Sequence, residues 1–329
     1  MALSRLRRSV AGLLLALPLL AAAQDWKPER TVEYIVPAGA GAALDTAARE
    51  IKTLIDRDKL LPVPMLVVNK PGGAGMVAMG ALAAKPGDGH LLATLTHSSI
   101  NNKLVGEVSL GYEDFTPLAI LFDETITVAV RADSPIRSGR DLVETLRKNP
   151  AALSIGVATS IGNHIHAAIA KPLQVAGVDI AKLTVVPYKS SAESMTNLLG
   201  GHLDVVSASA INVVPQLKAG KIRVLAVAAA ERLGGDLAGV PTWREQGVDA
   251  VYASSQGLQG PKGMTPAQIA FWEGVLRRIS ATPEWNAFLA RNYWRPRFMG
   301  AAEAVKYLDS EAEGARALLG ELHLLKKQP

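Results

Sequence analysis

The segment Pro37–Arg49, PAGAGAALDTAAR, follows the apolar run Val32–Val36, VEYIV, and leads into an alanine-rich stretch. An apolar run, a tight Gly/Ala turn and a periodic continuation read as strand, turn and helix. Such a junction brings the backbone N–H groups of a helix start toward an anion. The rest of the chain decides which kind of anion, and whether it is transformed or only held.

Outward from this junction the alternation repeats. The runs 65–69 (MLVVN), 90–96 (HLLATLT), 126–132 (ITVAVRA), 153–158 (LSIGVA), 183–188 (LTVVPY), 203–209 (LDVVSAS) and 222–229 (IRVLAVAA) read as strands. Helical stretches at 74–85, 138–149, 163–177, 191–201 and 211–220 separate them, with Ser138 and Asp141 placed to cap the second. This order predicts an α/β fold with parallel sheets covered by helices on both faces. After Pro241 the pattern changes to a short helix closed by Gly247, two helices over 266–292, and a long amphipathic helix over 300–322. With no strand read between the last three, they are expected to return onto an existing sheet, Trp272 and Trp285 in its core.

The chain has 329 residues, 49% hydrophobic and 20% charged, enough for two cored domains. Residues 1–23 read as a secretory signal peptide. Arg5, Arg7 and Arg8 precede the apolar run Val10–Leu20, and small residues supply a cleavage site after Ala23. A membrane span needs about 20 apolar residues, roughly twice this run. Losing the leader's three arginines takes the formal charge from +5 to +2. No basic run or aromatic-interleaved patch remains to suggest a nucleic acid partner. There is no cysteine, which excludes disulfides, a thiol nucleophile and a lipid anchor on an N-terminal cysteine. The expectation is an exported, periplasmic monomer.

Tests for reactive chemistry come back empty. Gly73, Gly75 and Ala78 fit the spacing of a dinucleotide fingerprint, but no acidic residue stands about 20 positions on to hold a ribose. No cofactor is expected. His164 and His166 are spaced i, i+2 and diverge on a helix, and no HExxH or other ligand spacing appears, so no metal is expected. Both histidines read as helix-surface or cap residues, His164 alone with a chance of lining a site. Asp123 and Glu124 read as solvated neighbours. Serines are plentiful, but none sits in a nucleophile elbow or beside a readable base. What does recur is small or hydroxylated residues after strand ends, where open parallel sheets bind ligands. That is the profile of a binding protein, not an enzyme.

These residues resemble the extracytoplasmic solute-binding receptors of tripartite tricarboxylate transporters, the Bug or TctC family. IVPAGAGAALDTAAR (35–49), VVNKPGGAGMVAMGALAAKPGDGHLLA (67–93), SIGVATSIGNHIHA (154–167), VPYKSSAESMTNLLGGHLDVVSAS (186–209) and GLQGPKGMTP (257–266) are similar to that family's signatures in order and spacing. The resemblance implies a type II periplasmic-binding-protein fold, two doubly wound lobes closing on a ligand in the cleft between them. One lobe would be discontinuous, 24–126 and 224–329, and the other 127–223. The implied function is capture of a di-, tri- or aromatic carboxylate for a carrier with a large and a small inner-membrane subunit. A ligand-presenting adaptor for a membrane kinase, or less readily an exported hydrolase, is the alternative.

The resemblance places a ligand carboxylate at Ala38, Gly39, Ala40, Gly41 and Ala42. One helix dipole supplies only about 0.3–1 kcal/mol, whereas micromolar binding needs about 8 kcal/mol. The second lobe must therefore contribute, and Thr159, Ser160, Gly162 and Asn163 are placed to do so. His97, Ser98 and Ser207 either contact ligand or satisfy strand ends, and Lys189 either pairs with a distal carboxylate or is a solvated loop charge. Asp45, beside the anion loop, reads as a cap or turn residue because its charge repels a carboxylate. Gly72, Gly75 and Asp204 read as structural neighbours of the site. Ala38 and Ser255 stand where the family has an aromatic residue, Ala42 where it has glycine and His97 where it has a small hydroxyl residue. Loss of bulk at the first two suggests a roomier pocket for an aromatic or longer dicarboxylate.

Overall fold

The computed structural model describes residues 26–158 and 160–326, so the expected leader at 1–23 and the candidate Thr159 lie outside the described residues. From the amino end, β1 (Val32–Val36), α1 (Ala43–Arg57), β2 (Met65–Asn69), α2 (Met76–Ala83), β3 (Leu91–Thr96) and α3 (Ser98–Val105) alternate. The long β4 (Phe115–Glu124) then passes through Thr125 alone into β5 (Ile126–Arg131). Next come α4 (Gly139–Lys148), β6 (Ser154–Ala158), α5 (His164–Val175), β7 (Thr184–Tyr188) and α6 (Ser191–Leu199). They are followed by β8 (Val205–Ser209), α7 (Ala210–Lys218) and β9 (Ile222–Val227). The order closes with β10 (Ser254–Pro261), α8 (Pro266–Ser280), α9 (Pro283–Arg291), β11 (Arg295–Gly300) and α10 (Ala301–Glu321).

The strands form two sheets, ordered β11-β4-β10-β3-β1-β2 and β7-β6-β8-β5-β9. The expectation of parallel sheets needs correction. β1 runs parallel to β2 and β3, and β6 to β7 and β8, but β10 is antiparallel to β3 and β4, β11 to β4, and β5 to β8 and β9. Two of the antiparallel strands, β10 and β11, gave no signal in the sequence. β10, SSQGLQGP, is buried at all eight positions, so no in–out alternation marks it, and it has no β-branched residue. β11 separates α9 from α10, where consecutive helices were expected; its Pro296 is tolerated because β11 is an edge strand.

Local sequence explains the helix starts. Ser138 Oγ accepts from Asp141 N at 3.1 Å while Asp141 Oδ2 accepts from Ser138 N at 3.1 Å, the capping box expected of that pair. Thr265 and Thr282 cap α8 and α9, each with proline in the first turn. Trp272 and Trp285 are fully buried in the first sheet's core, with Trp272 Nε1 donating to Gly89 O at 2.9 Å. α5 is buried on nearly every side, and this corrects the reading of His166 as a surface residue: it is 1% exposed. α10 starts against the first sheet, Ala304 and Leu308 meeting Leu95 and Ile120, and ends with Leu318, Leu319 and Leu322 in the second sheet's core.

Candidate functional site

Between the two sheets lies a cleft with two chambers. The larger, about 510 Å³, has an apolar wall that includes Pro37, Ala78, Met79 and Ala93. Thr94, Asn102 and Gln259 give it polar groups, and Ser160 and Asn163 reach it from the second sheet. The smaller is about 290 Å³. Leu44, Thr96, Ser98 and His164 line both, so the two adjoin. At the larger chamber's rim Ser160 Oγ donates to Glu107 Oε2 at 3.2 Å, joining the two halves of the molecule. A separate surface groove of about 660 Å³, lined by Trp26, Leu60, Phe271 and Arg278, shares no lining residue with the two chambers.

The smaller chamber is built from helix starts. Ala43 and Leu44 of α1, Ser98 of α3, His164 of α5, Ser191 of α6 and Asn212 of α7 all line it, and each lies in the first turn of its helix. The cause is topological: each of these helices follows a strand or loop that ends at the cleft. The N-cap positions of α1, α3 and α7 make no side-chain capping bond, although Ile100 N of α3 donates to His97 O and Ala210 N of α7 to Thr125 O. The positive ends of five helix dipoles thus face one small space. Lys189 lines it as well, its own N–H donating to Glu193 Oε2 at 2.8 Å.

Ala38–Ala42 do not line either chamber; their flanks Pro37, Ala43 and Leu44 do. The loop is instead organised by Asp45, which is 1% exposed. Its carboxylate accepts from Gly41 N, Arg49 Nε and Asn69 Nδ2, each at 2.8 Å. Asn69 Nδ2 also donates to Ala38 O at 2.9 Å, and Ala42 N to Gly39 O at 3.2 Å. The Gly41 amide is therefore engaged inside the chain. Burial pushes the Asp45 carboxyl up, but the bonds from Arg49, Gly41 and Asn69 and the Arg49 charge outweigh it and bring the pKa down to about 2.

Asp123 and Glu124, expected to be solvated, are both turned inward, because β4 crosses the sheet beneath the cleft. They point to opposite faces of the strand. Asp123 accepts from Ser255 Oγ at 2.6 Å and pairs with Arg297 at 3.2 Å. Glu124 faces the smaller chamber, accepting from Ser209 Oγ, with His164 Nε2 at 3.5 Å from its other oxygen. Burial raises its pKa, yet His164, Ser209 and Ser254 together hold it below the usual glutamate value.

The remaining candidates divide. Ser98, Ser160, Asn163, Lys189, Gly72 and Gly75 line a chamber, Asn163 also capping α5 through Ile165 N and His166 N. Gly162 lies between the halves: its carbonyl accepts from Asn101 Nδ2 at 2.9 Å and its N–H donates to His166 Nδ1 at 2.9 Å. His97 is buried against Tyr252, its N–H donating to Ser255 O at 3.0 Å, and burial brings its pKa down to about 3. Ser207 is wholly buried and donates to Ile165 O at 2.8 Å. Asp204 accepts from Ser154 N and Oγ, at the amino-terminal ends of β6 and β8. Neither Ala38 nor Ser255 lines a chamber, and Tyr307 Oη of α10 lies 2.9 Å from Ser255 Oγ. Sequence reading missed Asn102, Glu107, Glu124, Gln256 and Gln259; of these, Glu124 alone offered a signal, as the end of an apolar run. Among the described residues no group of three or more histidine or acidic side chains is arranged to hold a metal ion.

The family model for the tripartite tricarboxylate transporter family receptor, TctC, matches residues 48–324. The UPF0065 protein in the TAR-I ttuE-ttuC' intergenic region of Agrobacterium vitis is 32% identical over 269 residues, 80% of this chain and 75% of that protein. A TctC solute binding protein from Polaromonas, solved without ligand, matches with a TM-score of 0.74 at 25% identity, over 90% of this chain and 99% of that one. An R. palustris protein solved with adipate shares the fold, with a TM-score of 0.75 at 24% identity over 90% and 98% of the two chains. Sequence and architecture agree on the conclusion: this chain belongs to the TctC family of tripartite tricarboxylate transporter receptors, and it is a solute-binding protein rather than an enzyme.

Proposed function

We propose that this receptor captures a small organic carboxylate in the periplasm and delivers it to the large and small membrane subunits of a tripartite tricarboxylate-type carrier, after a leader is cleaved near Ala23. In this reading each sheet centres one lobe, β9 (Ile222–Val227) lying with the second, and ligand bridging the lobes favours the closed form. The observation that carries it is the meeting of five helix starts and Lys189 at one chamber. At about 0.3–1 kcal/mol each, the dipoles supply up to about 5 kcal/mol. Charge-assisted hydrogen bonds of about 1.5–3 kcal/mol from open amides, Ser98 and Lys189 bring the total into the micromolar range. Ser160 and Asn163 would hold the part of the ligand that extends into the larger chamber. The adipate held by the R. palustris neighbour supports the choice of a carboxylate.

A thermal-shift screen of mono-, di- and tricarboxylates and aromatic acids tests the reading. Ligand at 100 times Kd adds about 2.7 kcal/mol of stability, and Lys189→Gln should weaken the best hit several-fold. If no acid raises the melting temperature, the reading fails. Loss of uptake of the bound acid on gene deletion tests the carrier; retained uptake with lost induction would point to a sensor instead.

A further inference from the structure

The surface groove away from the cleft has the make-up of a second binding site. At about 660 Å³ it is larger than either cleft chamber and within the size range of small-molecule sites. α1 begins in the smaller chamber, and Lys59, Leu60 and Leu61 beyond its far end line the groove, so the length of α1, about 22 Å, separates the two. Trp26 and Phe271, edge to face at 5.3 Å, join Leu60, Leu61 and Val275 in an apolar wall. The exposed Lys27, Lys59 and Arg278 supply charge, and among the described residues no acid lines the groove. Asp58, next to Lys59, is paired with Arg57 at 2.6 Å, and Glu273, next to Gly274, with Arg277 at 2.6 Å, which leaves the three groove cations in no ion pair among the described residues.

Two departures from local preference shape this surface. Gly274 lies inside α8, where glycine is less favourable than alanine. A methyl group there would meet nothing within 4 Å, so packing does not demand the glycine; it keeps the groove deep. Lys59 follows the α1 C-cap with φ +51°, the left-handed position that glycine usually takes. Sequence choices that break a local rule gather at functional sites. We propose that this groove binds an organic anion with an unbranched apolar tail, of the medium-chain carboxylate class. Unpaired cations without a facing acid select the negative head group, and the aromatic and aliphatic wall takes the tail. From Ala267 to Arg278 the groove follows α8 for about 16 Å, room for an extended chain.

Calorimetry on the full mature chain at pH 7 tests this with butyrate, hexanoate and octanoate, and with octanol as the uncharged match of octanoate. Affinity should rise about tenfold for every two carbons added, close to what burial of each methylene supplies. Octanoate should bind at least fivefold tighter than octanol. Gly274→Leu, whose side chain fills the groove, should abolish octanoate binding. Lys59→Gln combined with Arg278→Gln should erase the advantage over octanol, and these exposed positions serve if the leucine variant does not fold. Lys189→Gln, in the cleft, should leave octanoate binding unchanged. Octanol binding as tightly as octanoate, affinity that does not grow with chain length, or binding that survives Gly274→Leu overturns the inference. Binding lost in Lys189→Gln assigns the acid to the cleft and overturns it as well.

Discussion

Replacing Asp45 with asparagine should cost stability in a way that depends on pH. The native carboxylate takes three hydrogen bonds at 2.8 Å, from Gly41, Asn69 and Arg49, and its pKa falls from 3.8 to about 2. At about 1.36 kcal/mol per pKa unit, the ionised form contributes about 2 kcal/mol of folding free energy. Because the folded-state pKa is the lower one, that contribution is complete above the unfolded value of 3.8 and is lost as pH falls through about 2. Arg49 makes the largest lowering contribution, but it is half exposed and solvent screening reduces its share, so about 2 kcal/mol is the upper end. Asparagine keeps the shape but removes the charge and turns a donor toward one of these partners. Urea unfolding followed by circular dichroism should show Asp45→Asn less stable by up to about 2 kcal/mol at pH 7, with the gap cut to about half near pH 3. A loss of the same size at both pH values would show that the carboxylate charge is not what organises the loop.

Two further outcomes follow from the buried groups between the sheets. His166 accepts from Gly162 N in its neutral form, and burial lowers its pKa from 6.5 to about 4. Stability drawn from neutral His166 is complete above pH 6.5 and drains away as pH falls through about 4, so His166→Asn should flatten the decline of melting temperature across that window; an unchanged slope contradicts it. Gly162 has φ +93°, and a methyl group there would lie 2.8 Å from Val105 Cγ1. Gly162→Ala should cost about 1–3 kcal/mol, read by denaturant unfolding, and a neutral result would mean the contact between the halves yields freely.

The sequence carried the outer shape of the molecule better than its seams. Strands such as Val205–Ser209 and capped helices such as Gly139–Lys148 announce themselves through apolar runs and local capping chemistry. Ser254–Pro261 does not, because its burial comes from neighbours distant in the chain. Glu124 looked solvated for the same reason: nothing local reveals that β4 ends under the cleft. His166 was legible in principle, since α5 is apolar almost all round and a polar residue there must be paired inside. That the Gly41 amide bonds Asp45 was not legible, because the arrangement depends on Asn69, 24 residues on, being brought alongside.

α10 reaches from one sheet's layer to the other's and spans about 30 Å at 1.5 Å per residue. Beyond it, Lys326 N donates to Leu104 O at 2.9 Å. The halves are thus joined by a rigid rod as well as by the crossing at Thr125 and the return over 228–253. Because Ala304 and Leu308 are seated in one half and Leu318, Leu319 and Leu322 in the other, parting the halves must bend this helix or unseat one of its ends. The carboxyl-terminal helix therefore adds its own resistance to opening of the cleft, beyond the bond from Ser160 to Glu107 at the rim.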